Sequence, residues 1–266
     1  MDITRPTGLP GVLDALDADP SATLLAGGTD LMVEVTYGSR RPESVVALKR
    51  VEELTHWDGG WIGSGVTWTR LQHGPIRGLA QAARTVGSPQ IRNAGTIGGN
   101  LGTASPAGDG LPFLAAVDAC IVVESRAAGR RTLRWDEFIT GPKRNALQPG
   151  EVIVAVQLPE HLPEHQEFAK VGARNAMVIA IASACLVRDT EGATRIALGS
   201  VGPTPIRARR AEEMISAELR PSPAAVAEFA RLVGEEVSPI TDHRSTEGYR
   251  RHASGVLARR LLERCL

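Results

Sequence analysis

Near the N-terminus the apolar positions change period from helical to strand-like and back. Leu9, Val12, Leu13 and Leu16 recur at helical spacing until Asp17-Ala18-Asp19-Pro20 ends the pattern, which predicts a short surface helix over Leu9 to Ala18. Thr23 to Ala26 is a short apolar run that predicts a buried strand. It enters Gly27-Gly28 directly, and Asp30 to Tyr37 reads as the helix launched by that turn. Val45 to Leu48 predicts a second strand and the alternation in Trp61 to Val66 a third, so this portion is α/β in character.

Helical spacing returns from Leu71 to Val86 and stops at Gly87-Ser88-Pro89. The stretch from Gly95 to Gly110, continued to Pro112, carries too many glycines and prolines for a helix or a central strand. It is expected to be irregular backbone presented to a ligand. Leu114 to Val117 predicts the close of a short helix, and Cys120 to Val123 and Val152 to Leu158 predict strands. Glu160 to Gln166, bordered by Pro159 and containing Pro163, reads as a linker. Beyond it Ala176 to Val187 and Arg195 to Val201 are β-rich, while Ala211 to Leu219, Ala224 to Val233 and Tyr249 to Cys265 are helical. Strands first and helices after predict a segregated α+β domain. The expected organisation is one domain over residues 1–159, divided into parts of about 1–55 and 56–159, and a smaller one over 160–266.

With 266 residues, 42% apolar and 23% charged, the chain can bury a substantial core, and neither disorder nor a fibrous repeat is indicated. Thirty basic and thirty acidic side chains (Lys+Arg 30, Asp+Glu 30) cancel, which leaves no broad positive field for nucleic acid or an anionic bilayer. The basic runs Arg207-Ala208-Arg209-Arg210 and Arg250-Arg251 read as solvated helix faces. Cys120, Cys185 and Cys265 are far apart and odd in number, so they supply neither a disulfide framework nor an iron–sulfur ligand set. Met1 to Pro6 lacks the basic and then apolar regions of a signal peptide, and the longest uncharged run, Ala176 to Val187, falls well short of the ~20 residues of a spanning helix. A cytoplasmic protein with no membrane span is expected.

The chemistry concentrates in two segments, Leu25-Ala26-Gly27-Gly28-Thr29-Asp30-Leu31 and Thr96-Ile97-Gly98-Gly99-Asn100. Absent side chains let main-chain N–H groups approach a diphosphate, and a helix start adds partial positive charge. One isolated Gly-Gly pair reads as a tight turn; two, each beside Thr or Asn, point to a phosphate-bearing cofactor. Neither fits the G-x-G-x-x-G fingerprint, and no G-x-x-x-x-G-K-[ST] loop occurs. The second segment runs on into Thr103-Ala104-Ser105-Pro106-Ala107-Gly108-Asp109, where Asp109 offers a carboxylate to a ribose hydroxyl. His161-Leu162-Pro163-Glu164-His165 matches the zinc pattern H-x-x-E-H, yet Pro163 breaks the turn that would bring both histidines to one helical face. Asp242-His243-Arg244-Ser245 reads as a cap and ion pair before the final helix.

Leu25 to Leu31, Thr96-Ile97-Gly98-Gly99-Asn100-Leu101 and Ala104-Ser105-Pro106-Ala107-Gly108-Asp109 together resemble the FAD-binding medium subunit of molybdenum hydroxylases, the family of xanthine dehydrogenase and carbon monoxide dehydrogenase. The likeness continues through Glu151-Val152-Ile153, Phe168-Ala169-Lys170, Arg174, Asp242 to Ser245 and Tyr249-Arg250. It implies an α+β fold: a two-part N-terminal FAD-binding domain of the vanillyl-alcohol-oxidase (PCMH) type, then a smaller C-terminal α+β domain. It also implies that Leu25 to Leu31 wrap the diphosphate, that Thr96 to Asn100 with Thr103 line the flavin side, and that Asp109 holds the ribose. Ile91 and Gly95 match positions lining the FAD cleft, Ile153 an apolar contact, and Lys170 a basic residue near the cofactor. Gly102 departs from relatives that carry a larger apolar residue there.

By the same resemblance the chain is one subunit of a heterotrimer, itself paired into a dimer. A small subunit with [2Fe–2S] clusters and a large molybdenum-cofactor subunit would complete it. Electrons would leave through FAD to NAD, oxygen or a quinone. Two other readings stand beside this one: a self-sufficient FAD-dependent oxidase or reductase of the same fold, and a non-enzymatic interaction module.

Overall fold

The structure, a computed structural model, describes residues 1–175 and 177–266. The first expected residue of the Ala176 to Val187 strand therefore lies outside the described residues. The chain begins with β1 (Asp2–Thr4), α1 (Leu9–Ala18), β2 (Thr23–Leu25), α2 (Leu31–Thr36) and β3 (Ser44–Ala47). The strands form a parallel sheet in the order β1-β3-β2. Helix α1 buries Leu9, Val12, Leu13 and Leu16, the positions its periodicity selects. These meet Val46 of β3 on one side and Val122, Val152 and Val154 of the following sheet on the other. Gly8 offers no side chain to cap α1; Glu53 replaces it, its Oε1 accepting from Leu9 N at 3.0 Å.

The middle of the chain holds β4 (Trp57–Asp58), β5 (Trp61–Gly63), α3 (Trp68–Gln72), α4 (Arg77–Thr85), α5 (Pro89–Ala94), α6 (Ile97–Thr103) and α7 (Leu111–Ala116). It continues through β6 (Cys120–Ser125), β7 (Gly129–Arg134), α8 (Trp135–Phe138), β8 (Ile139–Gly141), β9 (Arg144–Asn145) and β10 (Val152–Gln157). An antiparallel sheet, β4-β5-β10-β6-β7, carries the helices on one face. The single helix expected over Leu71 to Val86 is two, α3 and α4, because Pro75 has no N–H to donate and Gly74 presses against the Trp57 ring. A Cβ on Gly74 would lie 3.0 Å from Trp57 Cζ3.

The expectation that Gly95 to Gly110 holds no regular element is overturned by α6. Glycine lowers helix propensity because it exposes and frees the backbone, but here close packing supplies what propensity lacks. Thr96 caps the helix, its Oγ1 accepting from Gly99 N at 3.0 Å. Ile97 N donates to Val66 O at 3.1 Å and Gly98 N to Ser64 O at 2.8 Å. A Cβ on Gly98 would stand 2.5 Å from Ser64 Cβ, so glycine is the residue that permits this approach.

The C-terminal part is an antiparallel sheet of β11 (His165–Val171), β12 (Ala182–Arg188), β13 (Thr194–Gly199) and β14 (Ile206–Arg207), followed by α9 (Arg209–Ser216), α10 (Pro223–Glu236) and α11 (Glu247–Glu263). Strands then helices is the expected order. The expected linker is shorter than Glu160 to Gln166, since His165 and Gln166 already pair with Arg188 and Val187. Period-two alternation sorts this sheet between two cores: Phe168, Cys185, Val187 and Ala197 join the core of the preceding sheet, while Ala184, Leu186, Ile196 and Leu198 join that of the C-terminal helices. Helix α4 also guards the β11 edge, where Gln81 Oε1 accepts from Phe168 N at 2.6 Å.

Two arginines read as solvated are buried instead. Arg207 is 3% exposed in its side chain; it donates to Glu212 at 2.5 Å and 2.8 Å, and reaches Ala115 O at 3.0 Å and Asp118 at 2.8 Å. Arg250 is likewise enclosed, whereas Arg251 stays at the surface. Charge runs locate arginines but carry no record of buried carbonyls elsewhere in the chain.

The glycines of α6 separate two effects. Gly102 is exposed, with Ile153 Cδ1 its nearest side-chain neighbour at 4.0 Å from a Cβ. Gly102→Ala is expected to stabilise by up to about 1 kcal/mol through propensity. Gly98→Ala is expected to destabilise by about 1–3 kcal/mol through overpacking. Urea denaturation midpoints of the two variants, moving in opposite directions from wild type, check this.

Candidate cofactor-binding site

The first glycine segment leaves the parallel sheet at the end of β2, where Leu25 O still accepts from Leu48 N at 2.8 Å. Gly28 then takes φ +71°, a left-handed turn that directs the chain into α2. Gly28 O accepts from Met32 N at 3.0 Å, and Asp30 O from Val33 N at 3.1 Å. Among the described residues, no protein acceptor takes the amides of Gly27, Gly28, Thr29 or Asp30. Most of this turn is only half-buried, so these are donors in reach of a ligand.

The second segment differs. Its first amides are engaged by Val66 O, Ser64 O, and the hydroxyl and carbonyl of Thr96, the last accepting from Asn100 N at 3.1 Å. Here the glycines serve to seat a helix rather than to bare its N–H groups. The two segments nonetheless meet. A Cβ on Gly27 would lie 2.9 Å from Gly95 Cα and closer still to the Ala94 carbonyl, so the turn rests on bare backbone. Thr29 Oγ1 faces Gly95, and Thr103 Oγ1 donates to Asp30 Oδ2 at 2.8 Å. Leu25 to Leu31 and Gly95 to Thr103 thus form one cradle.

The remaining predicted residues surround it. Ile91 lies exposed on α5 beside Gly87, and Ile153 is buried on β10 near Gly102. Asp109 and Lys170, distant in sequence, form a buried pair: Lys170 Nζ meets Asp109 Oδ2 at 2.6 Å and also donates to Thr85 O at 3.0 Å. Asp109 Oδ1 and Asn100 Oδ1 are buried acceptors with no hydrogen-bond partner. Burial raises the Asp109 carboxyl to about 6, and the opposing pull of Lys170 only partly offsets that rise.

Sequence reasoning missed several supports. Trp68 packs behind the cradle, in contact distance of both Gly95 and Gly110, and its amide donates to Gly95 O at 3.1 Å. The β8–β9 hairpin clasps the far end of α6: Asn145 Nδ2 donates to Gly102 O at 2.8 Å and Lys143 N to Ala104 O at 2.9 Å. Lys143 Nζ reaches across to Glu34 Oε1 on α2 at 3.2 Å. The small residues of Gly63-Ser64-Gly65 were the available signal that another backbone passes close to β5.

Residues 1–161 match the family described as the FAD binding domain in molybdopterin dehydrogenase, and residues 167–265 the CO dehydrogenase flavoprotein C-terminal domain. The chain belongs to the FAD-binding subunits of the molybdenum hydroxylases. It is 34% identical over 216 residues to the nicotinate dehydrogenase FAD-subunit of Eubacterium barkeri, covering 74% of this chain and 72% of that one. It is 30% identical over 275 residues to a putative xanthine dehydrogenase FAD-binding subunit of Escherichia coli, covering 97% and 93%. The crystal structure of quinoline 2-oxidoreductase from Pseudomonas putida 86 superposes with a TM-score of 0.92 at 27% identity, covering 99% of this chain and 96% of that chain.

FAD is thus the cofactor of this oxidoreductase subunit, and the donor set fits it. A diphosphate requires hydrogen-bond donors without nearby competing acceptors, and the uncommitted amides of Gly27 to Asp30 are donors of that kind. The adjacent Asp30 carboxylate is engaged by Thr103.

Because the folded-state value of Asp109 lies above its ordinary 3.8, the site's contribution to stability is fully present below about 4 and is lost as pH rises through about 6. Lys170→Met removes the one opposing cation and moves that loss upward. This variant of the flavoprotein subunit is expected to lose melting temperature progressively between about pH 6 and 8, where wild type changes less. Thermal melts across that range test the sign.

Proposed function

We propose that this chain is the electron-transfer subunit of a heterotrimeric molybdenum hydroxylase. It takes electrons from [2Fe–2S] clusters of a small partner subunit, supplied by a large molybdenum-cofactor subunit, and delivers them to NAD, oxygen or a quinone. The trimer pairs into a dimer and works in the cytoplasm. The observation that carries the reading is the Gly27 to Asp30 turn, its amides uncommitted and its backbone seated on Gly95.

Leu25, Ala26, Gly27, Gly28, Thr29, Asp30 and Leu31 hold the diphosphate. Thr96, Ile97, Gly98, Gly99, Asn100 and Thr103 shape the flavin side, with Ile91, Gly95 and Ile153 around the cleft. Asp109 faces the ribose, and Lys170 fixes Asp109. Bound FAD supplies one-electron and two-electron redox chemistry, which suits a subunit between single-electron centres and a pair-accepting oxidant.

Two measurements test the reading. Gly27→Ala pushes the turn away from Ala94 and is expected to weaken FAD uptake roughly ten- to hundredfold, read by flavin fluorescence on titrating the apoprotein. The natively purified chain should also bring down proteins with molybdenum and iron–sulfur absorption. Steady turnover of an alcohol or of NADPH by the isolated chain would instead establish a self-sufficient enzyme.

A further inference from the structure

The C-terminal sheet reaches the cofactor cradle through a serine in an unusual conformation. Ser200, just beyond β13, has φ +65°, which costs energy for any residue but glycine. Contacts on both sides hold it. Its amide donates to Pro106 O at 2.8 Å, in the loop between α6 and α7 that carries Asp109. Its carbonyl accepts from Arg250 Nη1 at 2.8 Å. Gly199 presses on the same region: a Cβ there would lie 2.9 Å from Pro112 Cγ and 3.6 Å from Pro106 O.

Arg250, on α11, is 3% exposed. The same Nη1 donates to Ile181 O at 2.7 Å, and Nη2 to Asp242 Oδ1 at 2.7 Å. Asp242 is oriented in turn by Arg244 N at 2.8 Å and Ser245 N at 3.2 Å. Ile181 N donates to Val171 O at 2.8 Å, one residue beyond Lys170. One guanidinium therefore holds both strand ends that fasten the Asp109 loop, through Ser200 to Pro106 and through Ile181 and Val171 to Lys170. Arg250 Nε is left without a partner. A buried cation incompletely satisfied is a poor source of stability compared with an apolar side chain, so what it contributes is placement.

The loop passes that placement on. A Cβ on Gly108 would be 2.8 Å from Asn100 Nδ2, and one on Gly110 would be 2.5 Å from Trp68 Cη2. Trp68 also touches Gly95, the residue on which Gly27 rests. We infer that Arg250 is a positioning residue for the cofactor, setting through Ser200 and the β11–β12 strand ends where the Ser105 to Gly110 loop stands against the FAD cradle. Its consequence for the cofactor rests on the function proposed above; the mechanical link does not.

Arg250→Lys keeps the charge but cannot reach both carbonyls and Asp242 together. In the full chain, hydrogen exchange of the amides of Ser105 and of residues 107–111 is expected to rise about tenfold and the FAD Kd to rise about tenfold, with altered circular dichroism of the bound flavin. Glycine adopts the Ser200 conformation without a clamp, so adding Ser200→Gly should return exchange and Kd to within about threefold of wild type. A purely structural arginine would not be rescued this way. Phe229→Leu, a core change on α10, should leave both readings within about twofold at comparable loss of melting temperature. Unchanged exchange in Arg250→Lys, an equal effect in Phe229→Leu, or no rescue by Ser200→Gly each overturns the inference. Should Arg250→Lys fail to fold, Asp242→Asn must move exchange in the same direction, and no change there overturns it. Wild type that takes up no FAD would defeat the proposed function, while exchange in that same chain would still decide the link.

Discussion

Two stretches of main chain pass each other at Gly27 and Gly95 with no side chain between them, and the cradle exists only while that contact holds. Each stretch belongs to a different sheet. The Gly27 turn is positioned by the register of β2 on β3, and the Gly95 side by α6, whose first turn is bonded to Ser64 and Val66 just beyond β5. Ser64 N donates in turn to Val154 O at 2.9 Å, so the antiparallel register reaches the cradle through Ser64. Helix α1 keeps the two sheets together by burying one apolar stripe against both. An error of a few tenths of an ångström in either sheet would appear at the point of contact, where no side chain can adjust to absorb it.

The C-terminal sheet is apolar on both faces because both are covered, one by the helices of the middle part and one by α9 to α11. Polar groups within this packing are directional. Arg207 joins the end of α7 to β14 and α9, and Lys170 joins β11 to the Asp109 loop. Removing such charges from water is costly, and their attraction does little more than offset that cost. Their value lies in angle and distance, which apolar contacts leave loosely specified.

Much of the fold was legible. The buried positions of α1 are those its spacing selects, and β2, β3, β6 and β10 fall on the expected runs, because one covered face leaves its period in the sequence and two covered faces leave a continuous apolar run. The order of strands and helices in the C-terminal part was equally plain. What failed was local propensity where a distant backbone intervened. Gly98 lowers helix propensity, yet Ser64 makes glycine the residue that fits. Within the site, composition located the glycine segments but could not say which one keeps its amides free, since that depends on Ser64 and Val66 some thirty residues away (positions 64 and 66 against 97 and 98). The family resemblance named Asp109 and Lys170 separately but not their pairing, because spacing alone relates no residue in the α6–α7 loop to one on β11.

The shared core has an evolutionary corollary. Phe168, Cys185, Val187 and Ala197 fill space among Leu79, Phe113 and Leu114, and Gly78 lies so near Gln166 that a Cβ would be 3.2 Å from its Cβ. The halves that match two family descriptions are therefore not interchangeable cassettes. Recombination between homologous genes at residue 161 would join surfaces shaped in different lineages, and a change of volume at Phe113 would require a compensating change across the junction.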